Sequence, residues 1–431
     1  MTNPKVAILI PTMNRSDFLI RQLRYYASVE SPHPVYIGDS SNADHRKKVE
    51  MVIEELQDHI TVYYFHCPEL NDRQTTARLI EFAEEPYCSF IGDDDFLVPN
   101  SLTKCAQFLE QNPEYSTAQG KGILFSLNEV GPYGAMGSLG TYWSRNEVEE
   151  NTGEQRLINF FPKNYFVNQF SVHRTDDFVQ DSEFYKGIDD SSFGELLHCN
   201  LAIIRGKSKF IDSFYLIRQV HPEQHIGLYL NWKNDAFDWL THLDWQPSFQ
   251  VYQKTLTRSL SEVDGIGEDE AYEIVKQTLW SYLARTLWSY LARGVPRKYN
   301  LKYGHSSANS QSSTTNDQAR NELFPLKGHK KVSHLTFLNL IDSIERNRGP
   351  LKEFLKRIPG TRQASALVRN VVNTRKIAMQ TRKIAMQAER GDLSLPSLLH
   401  ASSPYHSDFI PVYKTIVEKP EKENFFIEND S

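Results

Sequence analysis

The chain has 431 residues, 24% of them charged and 40% hydrophobic, with a formal net charge of -6 and a pI near 6.2. That is enough chain for a sizeable core and more than one domain, and the charge balance gives no reason to expect a nucleic-acid partner. Four well-separated cysteines (Cys67, Cys88, Cys105, Cys199) lack CxxC spacing, which argues against a zinc ribbon or disulfide framework and fits a reducing compartment. The apolar stretch Val6 to Pro11 is shorter than a signal h-region, and no run reaches the roughly 18 apolar residues of a membrane span. A cytoplasmic protein, soluble or peripheral at the inner membrane face, is expected.

Val6 to Ile10 is an unbroken apolar run stopped by Pro11, the pattern of a strand buried on both faces of a parallel sheet. The polar turn Pro11-Thr12-Met13-Asn14-Arg15 follows. Ser16 and Asp17 can cap a helix carrying Phe18, Leu19, Leu23 and Tyr26, and Pro32 and Pro34 close it before a second strand at Val35-Tyr36-Ile37. A helix over about Ala43 to Leu56 leads to a strand at Thr61 to Phe65, and a helix over Thr75 to Ala83 precedes the apolar run Tyr87 to Ile91. Such alternation from residue 5 to about 110 predicts a doubly wound α/β sheet, which binds ligands outside the carboxyl ends of its strands. Polar clusters fall at three of those ends: Thr12 to Arg15, Asp39 to Asn42, and Asp93 to Asp95.

The third cluster carries the chemistry. In Ser89-Phe90-Ile91-Gly92-Asp93-Asp94-Asp95-Phe96-Leu97-Val98-Pro99, three adjacent carboxylates repel one another, and a divalent cation or hydrogen-bond donors would offset that charge. An exposed acidic turn is the plain alternative for the run in isolation.

From about 115 to 255 the pattern is irregular and aromatic, with Tyr142, Trp143, Phe160, Phe161, Tyr165, Phe166 and Phe170. An acceptor region is one reading, but large rings more often build cores than sugar platforms. Beyond 256 the chain reads as helix, continuous from Asp269 to Arg293, and contains two tandem duplications, Thr278 to Arg285 repeated as Thr286 to Arg293 and Thr374 to Gln380 repeated as Thr381 to Gln387. Two short copies make no solenoid, and both are read as local duplications at helix surfaces. Residues 299 to 321 have the composition of a flexible linker. The basic stretch 352 to 390 suits a peripheral membrane contact, although a solvated helix face is the commoner role of such a charge run. His221-Pro222-Glu223-Gln224-His225 has a proline in its spacing and lacks the HExxH order of a zinc helix, and His173 and His198 are read as surface or satisfied histidines. No dinucleotide fingerprint, Walker loop or nucleophile elbow is present.

Four segments together resemble family 2 of the inverting glycosyltransferases, which have the GT-A nucleotide-sugar fold. Val6 to Arg15 is similar to the family's first strand and its Pro-Thr-x-Asn-Arg turn, and Ile37-Gly38-Asp39-Ser40-Ser41 to a second strand ending in a base-reading aspartate. Asn71 to Ala83 with Tyr87 to Asp95 resembles the helix and acidic metal motif, and Gly187-Ile188-Asp189-Asp190 the motif that supplies the catalytic base. The likeness covers about residues 5 to 255 and departs from the family where Gly92 replaces its first acid and Asp189 its usual glutamate. It implies a mixed, mostly parallel doubly wound GT-A sheet at 1–255, with a nucleotide-binding half at 1–110 and an acceptor half at 111–255. A mainly helical region follows at 256–431.

What the resemblance implies about chemistry is metal-dependent, inverting transfer of a sugar from a nucleotide-sugar donor to a glycan, lipid-linked or peptidic hydroxyl. A hard cation, Mn²⁺ or Mg²⁺, would neutralise the diphosphate with few protein ligands. Asp95 is assigned to it, Asp93 shares it or meets the ribose, and Asp94 stands with the donor-binding residues Pro11, Thr12, Asn14, Arg15, Asp39 and Arg73. A positioned carboxylate must take the acceptor proton; Asp190 is assigned that role, with Asp189 as its alternative or orienting neighbour, and either can also cap the helix that follows. Two other readings stay open: a nucleotidyltransferase on a similar sheet, and an inactive relative that binds nucleotide or glycan.

Overall fold

Consecutive apolar residues give four short strands that can be buried on both faces, and they form the parallel half of the sheet. The computed structural model describes residues 3–143, 145–185, 187–221, 245–292 and 391–419. β1 (Val6–Thr12), β2 (Val35–Asp39), β3 (Val62–His66) and β4 (Tyr87–Phe90) pair in parallel in the order β3-β2-β1-β4. Val6 to Ile10 have no exposed surface at all. The crossovers are α1 (Ser16–Ser28), α2 (Ala43–Leu56) and α3 (Asp72–Ile80). Asn42 caps α2, and Asn71 with Gln74 closes a capping box on α3. α3 lies close on β2 because Gly38 has no side chain; a Cβ there would stand 2.2 Å from Thr75 Cγ2. Thr12 pairs with Asp39 and Asp39 with His66, so the carboxyl ends of the first three strands are level.

The second half of the sheet is mixed. β5 (Phe96–Leu97), α4 (Pro99–Gln111), β6 (Tyr115–Leu127), β7 (Met136–Trp143), β8 (Val172–Arg174) and β9 (Lys207–Gln219) extend it to nine strands in the order β3-β2-β1-β4-β8-β6-β9-β5, with β7 on β6. β8 is antiparallel to β4 and β6, whereas the long strands β6 and β9 run parallel, from Tyr115 opposite Lys207 to Phe125 opposite Gln219. β5 is antiparallel to β9, with Phe96 opposite Ile217. The mixed α/β class expected from the sequence is the one the chain adopts.

Around this half lie α5 (Gly153–Phe160), α6 (Thr175–Tyr185), α7 (Ser191–Arg205), α8 (Gln246–Asp264) and α9 (Glu268–Ala292). α8 packs on both α7 and α9. Position 255 lies inside α8, whose Tyr252, Leu256 and Leu260 belong to the main core. Trp143, Phe160, Phe161, Phe166 and Phe170 join the same core, and the Trp143 ring stacks on Tyr215. α10 (Leu395–Leu398) and α11 (His406–Val417) rejoin the unit formed by residues 1–293. α11 packs on α1 and buries Phe409, Val412 and Ile416. The segments 299–321 and 352–390, the second duplication and His225 lie outside the described residues. Among the described residues, no helix is long and apolar enough to cross a membrane.

Candidate functional site

The amide of Ile91 donates to the carbonyl of Leu9 at 3.0 Å, so the acidic turn begins level with the end of β1. The turn after β1 faces it. Thr12 Oγ1 donates to Asp93 Oδ2 at 2.7 Å, Arg15 Nη1 stands 3.3 Å from Asp93 Oδ1, and Arg15 Nη2 donates to Asp94 Oδ2 at 2.8 Å. His221 Nε2, just past β9, is 2.9 Å from the same Asp94 oxygen, and its ring stacks on Phe18. Asp95 is held differently. Its Oδ2 accepts from Arg218 Nε at 2.7 Å and its Oδ1 from the amide of Gln219 at 2.9 Å, so both oxygens are committed to β9. Arg218 also donates to the Tyr142 hydroxyl at 3.0 Å and lies over the ring of Phe170.

Two buried polar residues of α1 hold the backbone of the turn. Arg21 Nη2 donates to the carbonyl of Asp94 at 2.6 Å, and its Nη1 bonds the carbonyl of Pro132 and the side chain of Gln219, each at 2.5 Å. Gln22 Nε2 donates to the carbonyls of Gly92 and Asp95 at 3.1 and 2.7 Å. The sequence signal for Gln22 was an amide on the apolar stripe of Phe18, Leu19, Leu23 and Tyr26, where a polar residue must have a buried partner. Arg21, Arg218 and Gln219 had no local signal, since their partners are distant in the chain. His221 stands out in the sequence only through the zinc-like spacing to His225.

These contacts set the charge of the cluster. Burial raises the Asp93 carboxyl to about 7, against the pull of Arg15 and with the push of Asp94. Burial likewise lifts Asp95 to about 6 despite Arg218. Asp94 is buried too, but bonds from His221 and Arg15 more than offset that and hold it well below the usual carboxylate range. Burial also lowers the Arg21 guanidinium to about 10 against the raising effect of Asp94. Like charges in a dry site share their protons unevenly, and Asp94 is the member kept ionised.

The other sequence candidates make separate contacts. Asn14 takes a left-handed conformation (φ 56), which asparagine tolerates better than most residues. Its amide donates to Ser41 Oγ at 2.6 Å and its Oδ1 accepts from the amide of Asn42 at 3.0 Å, joining the turns after β1 and β2. Asp39 is fully buried, with Oδ1 accepting from the Ser41 amide at 2.7 Å and Oδ2 from the Tyr64 hydroxyl at 2.8 Å. Pro11 pairs with Gly38 one step before these turns. Arg73 on α3 donates from Nη2 to the carbonyl of Asp189 at 2.8 Å. Asp190 caps α7, its Oδ1 accepting from the amide of Phe193 at 2.9 Å. One turn further along α7, Glu195 accepts from the Tyr165 hydroxyl at 2.7 Å. Burial raises the Glu195 carboxyl, against the Tyr165 bond and the charge of Arg218.

The donor set suits a hard cation of open coordination. Asp94 Oδ1 accepts no hydrogen bond among the described residues, and Asp93 Oδ1 has only the 3.3 Å contact with Arg15. Two carboxylates with an uncommitted oxygen fit Mg²⁺ or Mn²⁺, which keep water and phosphate ligands. No group of three or more His, Cys, Asp or Glu side chains placed for a closed metal site occurs among the described residues. Asp95 is the acid least able to take part without first releasing Arg218.

No protein-family profile and no curated protein matches the chain. Among solved structures, that of S. aureus TarS is similar at 14% identity over 70% of this chain and 46% of that one, with a TM-score of 0.41. The chain thus spans less than half the length of that protein. S. aureus TarS 1-349 in complex with UDP-GlcNAc is similar at 14% identity over 67% of this chain and 92% of that one, with a TM-score of 0.37. At such identities and scores the likeness transfers no residue role.

Proposed function

We propose that the protein is a metal-dependent glycosyltransferase that moves a sugar from a nucleotide-sugar donor to an acceptor hydroxyl with inversion. One observation carries the reading: Thr12, Arg15, Asp93, Asp94 and His221 form a single bonded network at the carboxyl ends of β1 and β4, where doubly wound sheets bind nucleotides. The donor turn and the acidic turn both belong to that network, and the helix start that bears Asp190 follows them in the chain.

In this reading Asp93 and Asp94 hold the cation, and Asp95 anchors the turn to β9. The bound Mg²⁺ or Mn²⁺ supplies neutralisation of the diphosphate, both for binding and for its departure. Arg15 is placed to add positive charge beside the same phosphates, and Asn14 keeps the turns after β1 and β2 in register around the nucleoside. Asp190 takes the proton of the acceptor hydroxyl as that oxygen attacks the anomeric carbon opposite the leaving group. Glu195, half-buried and with a raised pKa, is the other carboxyl on α7 available for acceptor contact.

The test is a donor panel. UDP-, GDP- and dTDP-sugars are titrated by calorimetry with Mn²⁺ or Mg²⁺, followed by turnover against glycan and lipid-linked acceptors. Metal-dependent binding of one donor, lost in Asp94→Ala, is expected. Binding of none, or equal binding by Asp94→Ala, would count against the reading.

A further inference from the structure

The turn bearing Asp189 and Asp190 is held by a helix beyond it. Ser248, in the first turn of α8, is 2% exposed, and its Oγ accepts from the amides of both Asp189 and Asp190, each at 3.1 Å. A serine oxygen has two acceptor lone pairs, and both are used here. Arg73, on α3, donates to the carbonyl of Asp189. Two successive peptide planes are therefore fixed from outside the turn before Asp190 caps α7. The same stretch of chain seats α7 itself, because Phe193 packs against Trp245, Phe249 and Tyr252.

We propose that Ser248 is a positioning residue for the catalytic base: by binding both amides it fixes the backbone from which the Asp190 side chain projects. The inference rests on the reading of Asp190 as base in a glycosyl transfer. In this role Ser248 acts through the turn and not on the substrate. Without its oxygen the two amides must seek other acceptors, because partly buried N–H groups do not stay unpaired. The turn then rearranges, and a general base displaced by a fraction of its reach loses most of its effect. Donor binding, made at the other turns, is untouched.

The experiment uses full-length Ser248→Ala and the sugar nucleotide that turns over in the donor panel. Expected is a fall in kcat of about tenfold or more, with the donor KM unchanged. The calorimetric stoichiometry for the corresponding nucleoside diphosphate with Mn²⁺ also stays at the wild-type value. That stoichiometry excludes a loss of folded molecules, which a merely structural role would produce. A kcat within about threefold of wild type, or a stoichiometry that falls in step with the rate, overturns the role of Ser248 while leaving the transferase reading intact. A wild-type protein that turns over no donor overturns the transferase reading, and this proposal with it.

Discussion

Arg218 and Asp95 form a buried ion pair, Nε to Oδ2 at 2.7 Å, and the amide of Gln219 takes the other carboxylate oxygen at 2.9 Å. Removing one member of a buried pair leaves the other without compensation, typically at a cost of about 3–5 kcal/mol. Asp95→Ala is accordingly expected to lower the unfolding free energy obtained from urea denaturation by an amount in that range, with or without Mn²⁺ present. Unchanged stability together with lost metal binding would show that Asp95 is a ligand and not an anchor.

Asp94 should behave in the opposite way. It keeps an uncommitted oxygen, while its other oxygen is shared by Arg15 and His221. Asp94→Asn is expected to weaken Mn²⁺-dependent nucleotide binding by about tenfold or more, equivalent to about 1.4 kcal/mol. Its effect on the urea midpoint should be smaller than that of Asp95→Ala. Calorimetry and denaturation on the same two preparations separate the two roles.

Gly194 sets the path of Arg73. A Cβ at Gly194 would stand 2.9 Å from Arg73 Cδ, so the arginine must shift, which disturbs its bond to the carbonyl of Asp189. Alanine is also the better helix former by about 0.8–1 kcal/mol. Gly194→Ala should therefore hold or raise the melting temperature while lowering kcat/KM by about threefold to tenfold. A drop in both would mean that Gly194 serves packing alone.

Acid sensitivity should come from buried neutral histidines. His33 Nδ1 accepts from the amide of Val6 at 3.1 Å, which leaves Nε2 to donate to the carbonyl of Pro99 at 3.0 Å. Burial lowers its pKa from 6.5 to about 4, and burial lowers His173 to about 4 as well. With a depressed native pKa, only the unfolded chain takes the proton between those values. Stability is complete above pH 6.5 and falls as the pH drops toward 4, by about 1.4 kcal/mol per unit for each histidine. His33→Gln keeps an acceptor and a donor but does not titrate. Urea midpoints between pH 7 and 5 should fall less steeply in the variant, by about one proton, and identical slopes would refute the assignment.

The parallel half of the fold was legible because its signals are local. The second helix runs from Ala43 to Leu56 as its periodicity predicts, and Val6 to Ile10 read as a doubly buried strand from branched residues alone. α3 begins at Asp72, earlier than the expected Thr75, because the capping box at Asn71 adds a turn. The rest depends on contacts between distant residues. β6 and β9 are parallel partners some 90 residues apart in sequence, and no window contains both. The acidic turn was found for the same local reason, as three adjacent carboxylates. The groups that divide its labour, Arg21, Arg218, Gln219 and His221, reach it from elements that only the folded topology brings together.

The docking of α11 has a consequence for how the protein is made. Phe409, Val412 and Ile416 fill the core beside α1, Phe409 and Tyr405 meet Phe214, and the amide of Gly134 donates to the carbonyl of Ile416. On the ribosome, the strands and α1 emerge long before this helix does. Until residue 417 has left the exit tunnel, the nascent chain presents the apolar surface that α11 will cover, and exposed surface of that kind recruits chaperones or aggregates. Chains stalled before and after α11 should therefore differ in chaperone occupancy and protease resistance.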